Sequence, residues 1–428
     1  MPWMPIMPHE SPLRKRHQAY SQHPRPDPNA AAHRPGAAVG VRAAAPDPQY
    51  VAYGPLNDLG RVGCELLATF GDLEAEYAAI RKGAGLFDCP HRATIRITGD
   101  DRREFLNRML TQELKDLQTG MAKPTFWLSR QGRLVADLLL IELGDRLLID
   151  LDIHQVDHTV KTLTEFLFTE DVEITDASSE LYHLAVHGKE AQAVIAEAGG
   201  GTSFDLDALG ATTVRIAGVE VVVARLDQTG EVGLHLIVPH DRTEAVWDAL
   251  VATDEKLGQG KRRVRPIGWH AVNVARIEAG VPLFNIDFGP TNLPHETGQL
   301  HDRVSFTKGC YLGQEIVARM ESLGSPKQIL VGLKPGRDLL PVAGDEVFSK
   351  EQQGKDRQIG VVTSSTLSPM LGAAPIAFAM LKTKSADPGT TVLVNAEGEQ
   401  TDAVVCGLRF YKPVAPQASS AREAGEST

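Results

Sequence analysis

The chain has 428 residues, enough for about two or three domains. Lys and Arg total 44 against 55 Asp and Glu, and the resulting net charge of −11 excludes a protein that coats nucleic acid through a broadly basic surface. The four cysteines contain no C-x-x-C pair, which argues against a zinc ribbon, a self-contained iron–sulfur site and a disulfide scaffold. No apolar run approaches the roughly 20 residues that span a bilayer, and no secretory signal opens the chain. We therefore expect a cytoplasmic protein that binds no membrane.

The two ends of the chain differ from its middle. Residues 1–50 hold ten of the 26 prolines and show no apolar periodicity. Because proline fixes φ and removes a backbone donor, this composition predicts a disordered tail over residues 1–50. A second polar tail is predicted over residues 413–428.

Residues 51–326 alternate irregularly between helical and strand patterns. The first helix is predicted over residues 72–82, with Asp72 as its N-cap and a glycine at 83 or 85 ending it. Hairpins occur among the later elements, and this mixture favours an α+β fold over a doubly wound parallel sheet. The later elements are strand 93–97, helix 100–110, strands 133–143 and 146–151, helix 154–168, strand 181–186, helix 189–198, strands 214–216, 219–226 and 233–238, and helices 241–252 and 267–279.

Residues 327–412 have a different pattern. Short apolar runs follow one another closely, with Gly and Pro turns between them, and this predicts a small β-barrel or sandwich. The predicted strands are 329–333, 346–348, 359–363, 375–381, 391–394 and 403–405.

Residues 307–321 read T-K-G-C-Y-L-G-Q-E-I-V-A-R-M-E. This segment resembles the K-G-C-Y-x-G-Q-E signature of the YgfZ family of folate-binding, iron–sulfur-related proteins, which is part of the wider GcvT (aminomethyltransferase) superfamily. Four further segments resemble that superfamily in the same order: 76–88 with its G-L-F-D turn, 105–111, the R-x-E-A-G element at 276–280, and 361–372. The resemblance covers roughly residues 60–412. It implies two related α+β subdomains around a central funnel that holds tetrahydrofolate, followed by a small C-terminal β-barrel.

Within the signature, Cys310 is the candidate for a chemical role. A thiol becomes a nucleophile or a metal ligand when a nearby positive charge lowers its pKa, and Lys308 stands two residues upstream. The resemblance therefore implies that Cys310, assisted by Lys308, is a key thiol or a shared ligand of a transient iron–sulfur cluster. The alternative is a small buried apolar residue, the usual state of a free cysteine. Aminomethyltransferases carry K-G-D-F-x-G here, which favours the iron–sulfur branch.

Two further motifs of the superfamily concern the folate site. A T-G-E-x-G-[FL]-E stretch supplies a carboxylate that holds the pterin ring, and here residues 229–235 end in His235 in its place. A neutral imidazole accepts only one hydrogen bond, where a carboxylate accepts several. Glu231 of the same stretch is a candidate folate ligand or simply a turn residue.

A G-x-[IV]-x-D-D-L stretch supplies the catalytic acid of the superfamily. Residues 132–138 keep only the second acid, because Ala136 replaces the first and Asp137 remains. Asp137 is therefore a candidate catalytic or folate-binding residue, or a solvated strand carboxylate. Arg276 matches the arginine of R-x-E-A-G, which approaches folate in the family; the alternative is an ion pair with Glu278 or a neighbour.

Two functional hypotheses follow from these residues. The first is a folate-binding, YgfZ-like factor that assembles or repairs iron–sulfur clusters in client enzymes, including tRNA-modifying enzymes, with Cys310 as the essential thiol. Its partners would be folate, client enzymes and assembly proteins. The alternative is a tetrahydrofolate-dependent aminomethyltransferase of the glycine cleavage T-protein type. The replacements at Ala136 and His235 favour the first hypothesis.

Overall fold

Two α+β lobes and a C-terminal barrel form the part of the chain that the structure describes. The computed structural model describes residues 11–22, 47–54, 64–201, 203–256, 263–351 and 357–411. Among these residues, no helix is both long enough and apolar enough to cross a lipid bilayer. The α+β class and the C-terminal barrel predicted from the sequence are both confirmed.

The helices and strands are bounded as follows. The helices are α1 (Arg14–Gln22), α2 (Leu73–Lys82), α3 (Arg102–Met109), α4 (Val156–Thr164), α5 (Ala191–Ala198), α6 (Thr243–Lys256), α7 (Trp269–Ala279), α8 (Leu300–Arg303) and α9 (Gln314–Leu323). The strands are β1 (Gln49–Tyr53), β2 (Cys64–Thr69), β3 (Ala84–Asp88), β4 (Arg92–Thr98), β5 (Met121–Leu128), β6 (Leu134–Glu142), β7 (Leu147–Asp152), β8 (Glu173–Asp176), β9 (Leu181–His187), β10 (Ala211–Ile216), β11 (Val219–Arg225), β12 (Gly233–Pro239), β13 (Val264–Ile267), β14 (Gln328–Pro335), β15 (Glu346–Ser349), β16 (Gln358–Ser368), β17 (Ala374–Lys382), β18 (Thr391–Ala396) and β19 (Glu399–Cys406).

The first lobe is a five-stranded antiparallel sheet in the order β5-β6-β7-β4-β8. The predicted hairpin is present as β6 and β7. Helices α3 and α4 bury their apolar faces on one side of the sheet, where Phe105 and Leu163 share a core with Ile149. Strand β5 was not predicted, because Pro124 lies within it; the strand tolerates this proline because it is at the edge of the sheet, where one side of its backbone needs no ladder partner.

The second lobe is a six-stranded sheet in the order β10-β11-β12-β9-β3-β13, covered on one side by α5 and α6. The G-L-F-D segment, which the resemblance implies to be a turn, is part of β3. All five residues of β3 are buried, and the strand pairs antiparallel with β9 and parallel with β13. The turn prediction is therefore wrong, because β3 is an interior strand of this sheet. Ile267, predicted as helical, ends β13, so α7 begins two residues later.

The two lobes and the barrel share buried contacts. Leu139 and Ile141 of the first sheet pack against Val222 and Ile237 of the second. The barrel is closed, with strand order β14-β17-β16-β15-β18-β19, and it begins at Gln328, close to the predicted boundary at 326. Side chains on the outer face of the barrel pack against side chains of the first lobe and of α7 in a further apolar cluster. The contacts between these parts create the concave surface described below.

The helix α1 lies where the sequence predicts a disordered tail. Leu13, just before α1, is fully buried in the core of the second lobe. His17 packs edge-on against Trp247, with 5.3 Å between ring centroids. The prediction of disorder over residues 1–50 is therefore wrong for α1 and for the first two residues of β1, because apolar and aromatic contacts compensate for the proline-rich composition around them.

Polar contacts also fix this N-terminal segment. Ser11 donates a hydrogen bond to the carboxyl group of Asp88, and Arg16 forms an ion pair with Asp248 at 2.9 Å. The rest of the two predicted tails, residues 1–10, 23–46 and 413–428, lies outside the described residues.

Replacing Leu13 tests whether α1 is docked in solution. Because the side chain is fully buried, we expect Leu13→Ala to lower the free energy of unfolding by about 2–4 kcal/mol, measured by urea denaturation. Lys15→Ala, at an exposed position of the same helix, is the control and should change it by less than about 0.5 kcal/mol. Equal stability of both variants and the wild type would show that the segment is not docked.

Candidate functional site

A funnel opens between the two lobes and α7. The space between its lining residues is about 860 Å³, counting the part that is open to solvent. Three of the sequence-predicted site residues line it, namely Asp137, His235 and Arg276. Glu231, Lys308 and Cys310 are not part of its wall.

Like Asp152, Asp137 is an acid that lines the funnel. Its neighbour Ala136 is fully buried in the core of the first lobe, since successive residues of β6 point to opposite faces of the sheet. A side chain at position 136 therefore points into this core, and alanine in place of an acid there removes no carboxylate from the funnel. Asp137 accepts a hydrogen bond of 2.6 Å from Nε of Arg303, and both side chains are largely buried. This pair leaves the second carboxylate oxygen of Asp137 as an acceptor for a ligand.

Arg276 lies at the funnel wall, but most of its donors are already engaged. Its Nη1 donates to Asp287 at 2.7 Å, and its Nη2 donates to Ser364 of the barrel at 2.8 Å. Its Nε donates to Asn273 one turn earlier in α7. Arg276 thus forms an ion pair with Asp287, whereas Glu278, the suggested partner, pairs with Arg81 at 2.7 Å. The arginine joins α7 to the barrel and presents little free donor capacity to a ligand.

Glu231 and His235 come from one stretch of sequence but have different surroundings. Glu231 lies 3.5 Å from Arg81, and burial raises the pKa of its carboxyl group. His235 lies on β12 and faces the funnel beside His187 of β9, with 6.0 Å between the ring centroids. Glu231 is therefore part of an ion pair outside the funnel wall, and His235 is the residue of this stretch that can meet a ligand.

A buried carboxylate stands behind His235. Nδ1 of His235 lies 3.5 Å from Asp150, which also accepts a 2.7 Å hydrogen bond from Nε of Arg92. Burial alone would raise the pKa of Asp150, but the charge of Arg92 outweighs it and holds that pKa below its usual range. Asp150 is thus a carboxylate at neutral pH, and it orients the imidazole of His235.

The polar end of the funnel also holds unused hydrogen-bonding atoms. Nδ1 of His187 and Nε2 of His235 are buried and have no protein partner. Burial lowers the pKa of His187 to about 3, so its ring is neutral at physiological pH. The neutral imidazole of His187 can donate or accept one hydrogen bond at this nitrogen, depending on the tautomer, and Nε2 of His235 is a second position for a hydrogen bond to a ligand.

The other part of the funnel is an aromatic wall formed by the rings of Tyr53, His91, Phe87 and Trp269. The centroid of the His91 ring lies 5.2 Å from that of Tyr53, 5.9 Å from that of Phe87 and 6.2 Å from that of Trp269. All four line the funnel. A flat apolar group with a polar end matches this division of the surface.

Lys308 is an anchor for the signature loop. Its Nζ donates to the backbone oxygens of Asn107, Leu110 and Gln112 at 2.7–2.8 Å. These three bonds use every donor of the ammonium group, so Lys308 has none left for the Cys310 thiol. Burial lowers the pKa of Lys308 to about 8.

Most other residues of the signature also have structural roles. Tyr311 is buried in the cluster that joins the first lobe to the barrel. Gly313 has a φ of +81°, and a Cβ at this position would lie 2.7 Å from the backbone oxygen of Ser129. In contrast, Cys310 is exposed. Within the described residues, no three His, Cys, Asp or Glu side chains are arranged to hold a metal ion.

Sequence reasoning missed several residues of the funnel, among them Tyr53, His187 and Arg303. Tyr53 lies in the segment predicted to follow a disordered tail, His187 ends strand β9, and Arg303 belongs to a helix of four residues. No local signal marks Arg303, because its role depends on a tertiary contact with Asp137.

Comparison with known families gives two matches that together span most of the chain. Residues 57–308 match the GCVT N-terminal domain. Residues 328–412 match the glycine cleavage T-protein C-terminal barrel domain.

Individual proteins show the same similarity. An aminomethyltransferase of Caldanaerobacter subterraneus is 28% identical over 355 residues, covering 82% of this chain and 91% of that protein. One of Geobacillus kaustophilus is 30% identical over 359 residues, covering 82% and 93%. The crystal structure of the glycine cleavage system aminomethyltransferase T from Bartonella henselae superimposes with a TM-score of 0.74 at 24% identity, covering 85% of this chain and 94% of that one. This structural likeness shows a common fold.

Replacing His235 by an acid tests the role of Asp150. Two carboxylates so close together raise the pKa of one of them, and the stability that depends on its bound proton is lost as the pH rises through that raised value. At pH 8 we expect His235→Glu to be less stable than His235→Gln by about 1–4 kcal/mol. At pH 5.5 the difference in the free energy of unfolding between the two variants should be smaller. Urea denaturation at both pH values measures it, and a deficit that does not change with pH would contradict this electrostatic account.

Proposed function

Since the chain belongs to the GcvT family, we propose that its funnel binds a tetrahydrofolate. The observation that carries this proposal is the division of the funnel into an aromatic wall and a polar end with unpartnered buried nitrogens at His187 and His235. A reduced folate has the corresponding parts, since its pterin carries an edge of donors and acceptors and its aminobenzoyl group is flat and apolar. Asp137 and Arg303 lie on the same surface and supply a carboxylate and a guanidinium.

Two activities are compatible with a bound folate. The names of the relatives favour aminomethyl transfer. Asp137 supports this candidate, because it is a carboxylate on the funnel wall with one oxygen engaged by Arg303 and the other available to accept a proton or orient an amine. When bound, tetrahydrofolate would supply the nitrogen that receives the one-carbon unit.

The exposed thiol of Cys310 favours the second candidate. Lys308, Tyr311 and Gly313 each have a structural reason to be present in the signature, whereas the side chain of Cys310 makes no such contribution. We propose that this thiol acts on a partner, as in a YgfZ-like factor that assembles or repairs iron–sulfur clusters in client enzymes. In this case the cluster belongs to the client, and Cys310 serves as a thiol or as one shared ligand.

The aminomethyl hypothesis predicts product formation that depends on Asp137. With tetrahydrofolate and a dihydrolipoyl-bound aminomethyl donor, the wild-type protein should form methylenetetrahydrofolate, and Asp137→Asn should be about 10²–10⁴ times slower, because it lacks the acid. Asp145→Asn, at an exposed acid in the same lobe, is the matched control and should keep full activity. No product with the lipoyl-bound donor would contradict aminomethyl transfer.

The thiol hypothesis predicts a different dependence. In a host that lacks the gene, Cys310→Ser should fail to restore the activity of iron–sulfur enzymes under oxidative stress while binding 5-formyltetrahydrofolate as tightly as the wild type. Cys406→Ser is the control, because Cys406 is partly buried at the end of a barrel strand. Full restoration by Cys310→Ser would overturn the thiol hypothesis.

A further inference from the structure

The funnel wall includes a residue from outside the matched family domain. The GCVT N-terminal domain matches from residue 57 onward, whereas Tyr53 lies before it, at the end of β1. Tyr53 nevertheless lines the funnel together with Asp137 and His235. The N-terminal segment is therefore part of the cavity as well as part of the core.

Several contacts hold the Tyr53 ring in place. Its hydroxyl donates a hydrogen bond to Asp152, which is buried. One face of the ring stacks on His154 at 5.6 Å between centroids, with an angle of 19° between the planes. The edge of His91 approaches at 5.2 Å. These neighbours fix the ring, so a ligand that meets it need not order it first.

The backbone next to Tyr53 is equally constrained. Gly54 has a φ of +91°, and a Cβ at this position would lie 1.9 Å from Nε2 of His154. The same imidazole nitrogen lies 3.3 Å from the backbone oxygen of Tyr53. Only glycine fits here without displacing His154, and this contact sets the point at which β1 leaves the funnel.

Tyr53 extends the aromatic wall beyond the residues that the family domain supplies. The rings of His91, Phe87 and Trp269 follow one another along the wall, and Tyr53 stands at its end. Asp152 also lines the funnel, and the hydroxyl of Tyr53 is one of its hydrogen-bond partners. Without the tyrosine ring, the aromatic wall would end at His91.

We propose that Tyr53 is a ligand-binding residue of the funnel, and that its ring packs against a flat aromatic part of the bound folate. This inference rests on the proposed folate binding. It adds that the segment upstream of the family domain contributes directly to affinity, through contact of the ring with the ligand.

The test is a titration of the full chain with 5-formyltetrahydrofolate, followed by the fluorescence of Trp269, which lines the funnel. Tyr53→Ala should weaken binding about tenfold, because the aromatic contact with the ligand is lost. Tyr53→Phe keeps the ring and should bind within about threefold of the wild type. Tyr50→Ala is the matched control on the same strand; its ring lies near Arg14, away from the funnel, so it should leave the affinity unchanged even if the melting temperature falls.

The outcomes separate the two proposals. If the wild type binds and Tyr53→Ala binds equally tightly, the inference about Tyr53 is overturned while the folate proposal stands. If Tyr50→Ala weakens binding as much as Tyr53→Ala, the effect is one of stability, and the inference is likewise overturned. If the wild type does not bind 5-formyltetrahydrofolate, the folate proposal fails, and the assignment of Tyr53 fails with it.

Discussion

The buried ion pair between Arg276 and Asp287 sets the geometry on which the funnel depends. Arg276 is 1% exposed, and Asp287 also accepts hydrogen bonds from Thr363 and Ser364 of the barrel. Helix α7, the loop that follows it and strand β16 therefore meet at one carboxylate. Such a buried pair stabilises the fold little more than apolar packing would. Removal of one partner lowers the free energy of unfolding by about 3–5 kcal/mol, because it leaves a buried charge without its partner. Its effect is to fix the position of the barrel against the wall of the funnel.

The other buried charges follow the same pattern. Asp150 is held by Arg92, Glu278 by Arg81, and the ammonium group of Lys308 by three backbone oxygens. Each of these groups has its partners inside the protein. Among the described residues that line the funnel, the polar atoms available to a ligand include imidazole nitrogens of His91, His187 and His235 and one oxygen of Asp137. The cavity therefore offers a ligand few hydrogen-bonding positions. Each of them belongs to a side chain that is fixed by a buried partner, by neighbouring rings or by its place on a strand.

The parts of the fold that could be predicted are those with a local cause. The barrel strands and the β6–β7 hairpin follow from apolar alternation and turn residues, and the cap of α2 follows from Asp72, whose side chain accepts from the backbone of Ala75. Helix α1 could not be predicted, because its burial depends on Trp247, far away in sequence.

The same distinction applies to the site. Motif comparison located Asp137 and His235, but it also gave weight to Ala136, whose side chain points into the core. The period of two along β6 separates these neighbours, because adjacent residues of a strand face opposite sides of the sheet. Tyr53 and Arg303 reach the funnel through tertiary contacts, which no local pattern records.

The docking of α1 has a consequence for the order in which the protein assembles. Leu13 is synthesised before Val264 of β13, which belongs to the cluster that buries it. Until the second lobe is complete, α1 has no surface on which to pack, and β1 and Tyr53 follow it in the chain. The contact between α1 and the second lobe is thus long-range in sequence, and contacts of this kind slow folding and leave apolar segments open to chaperones during synthesis.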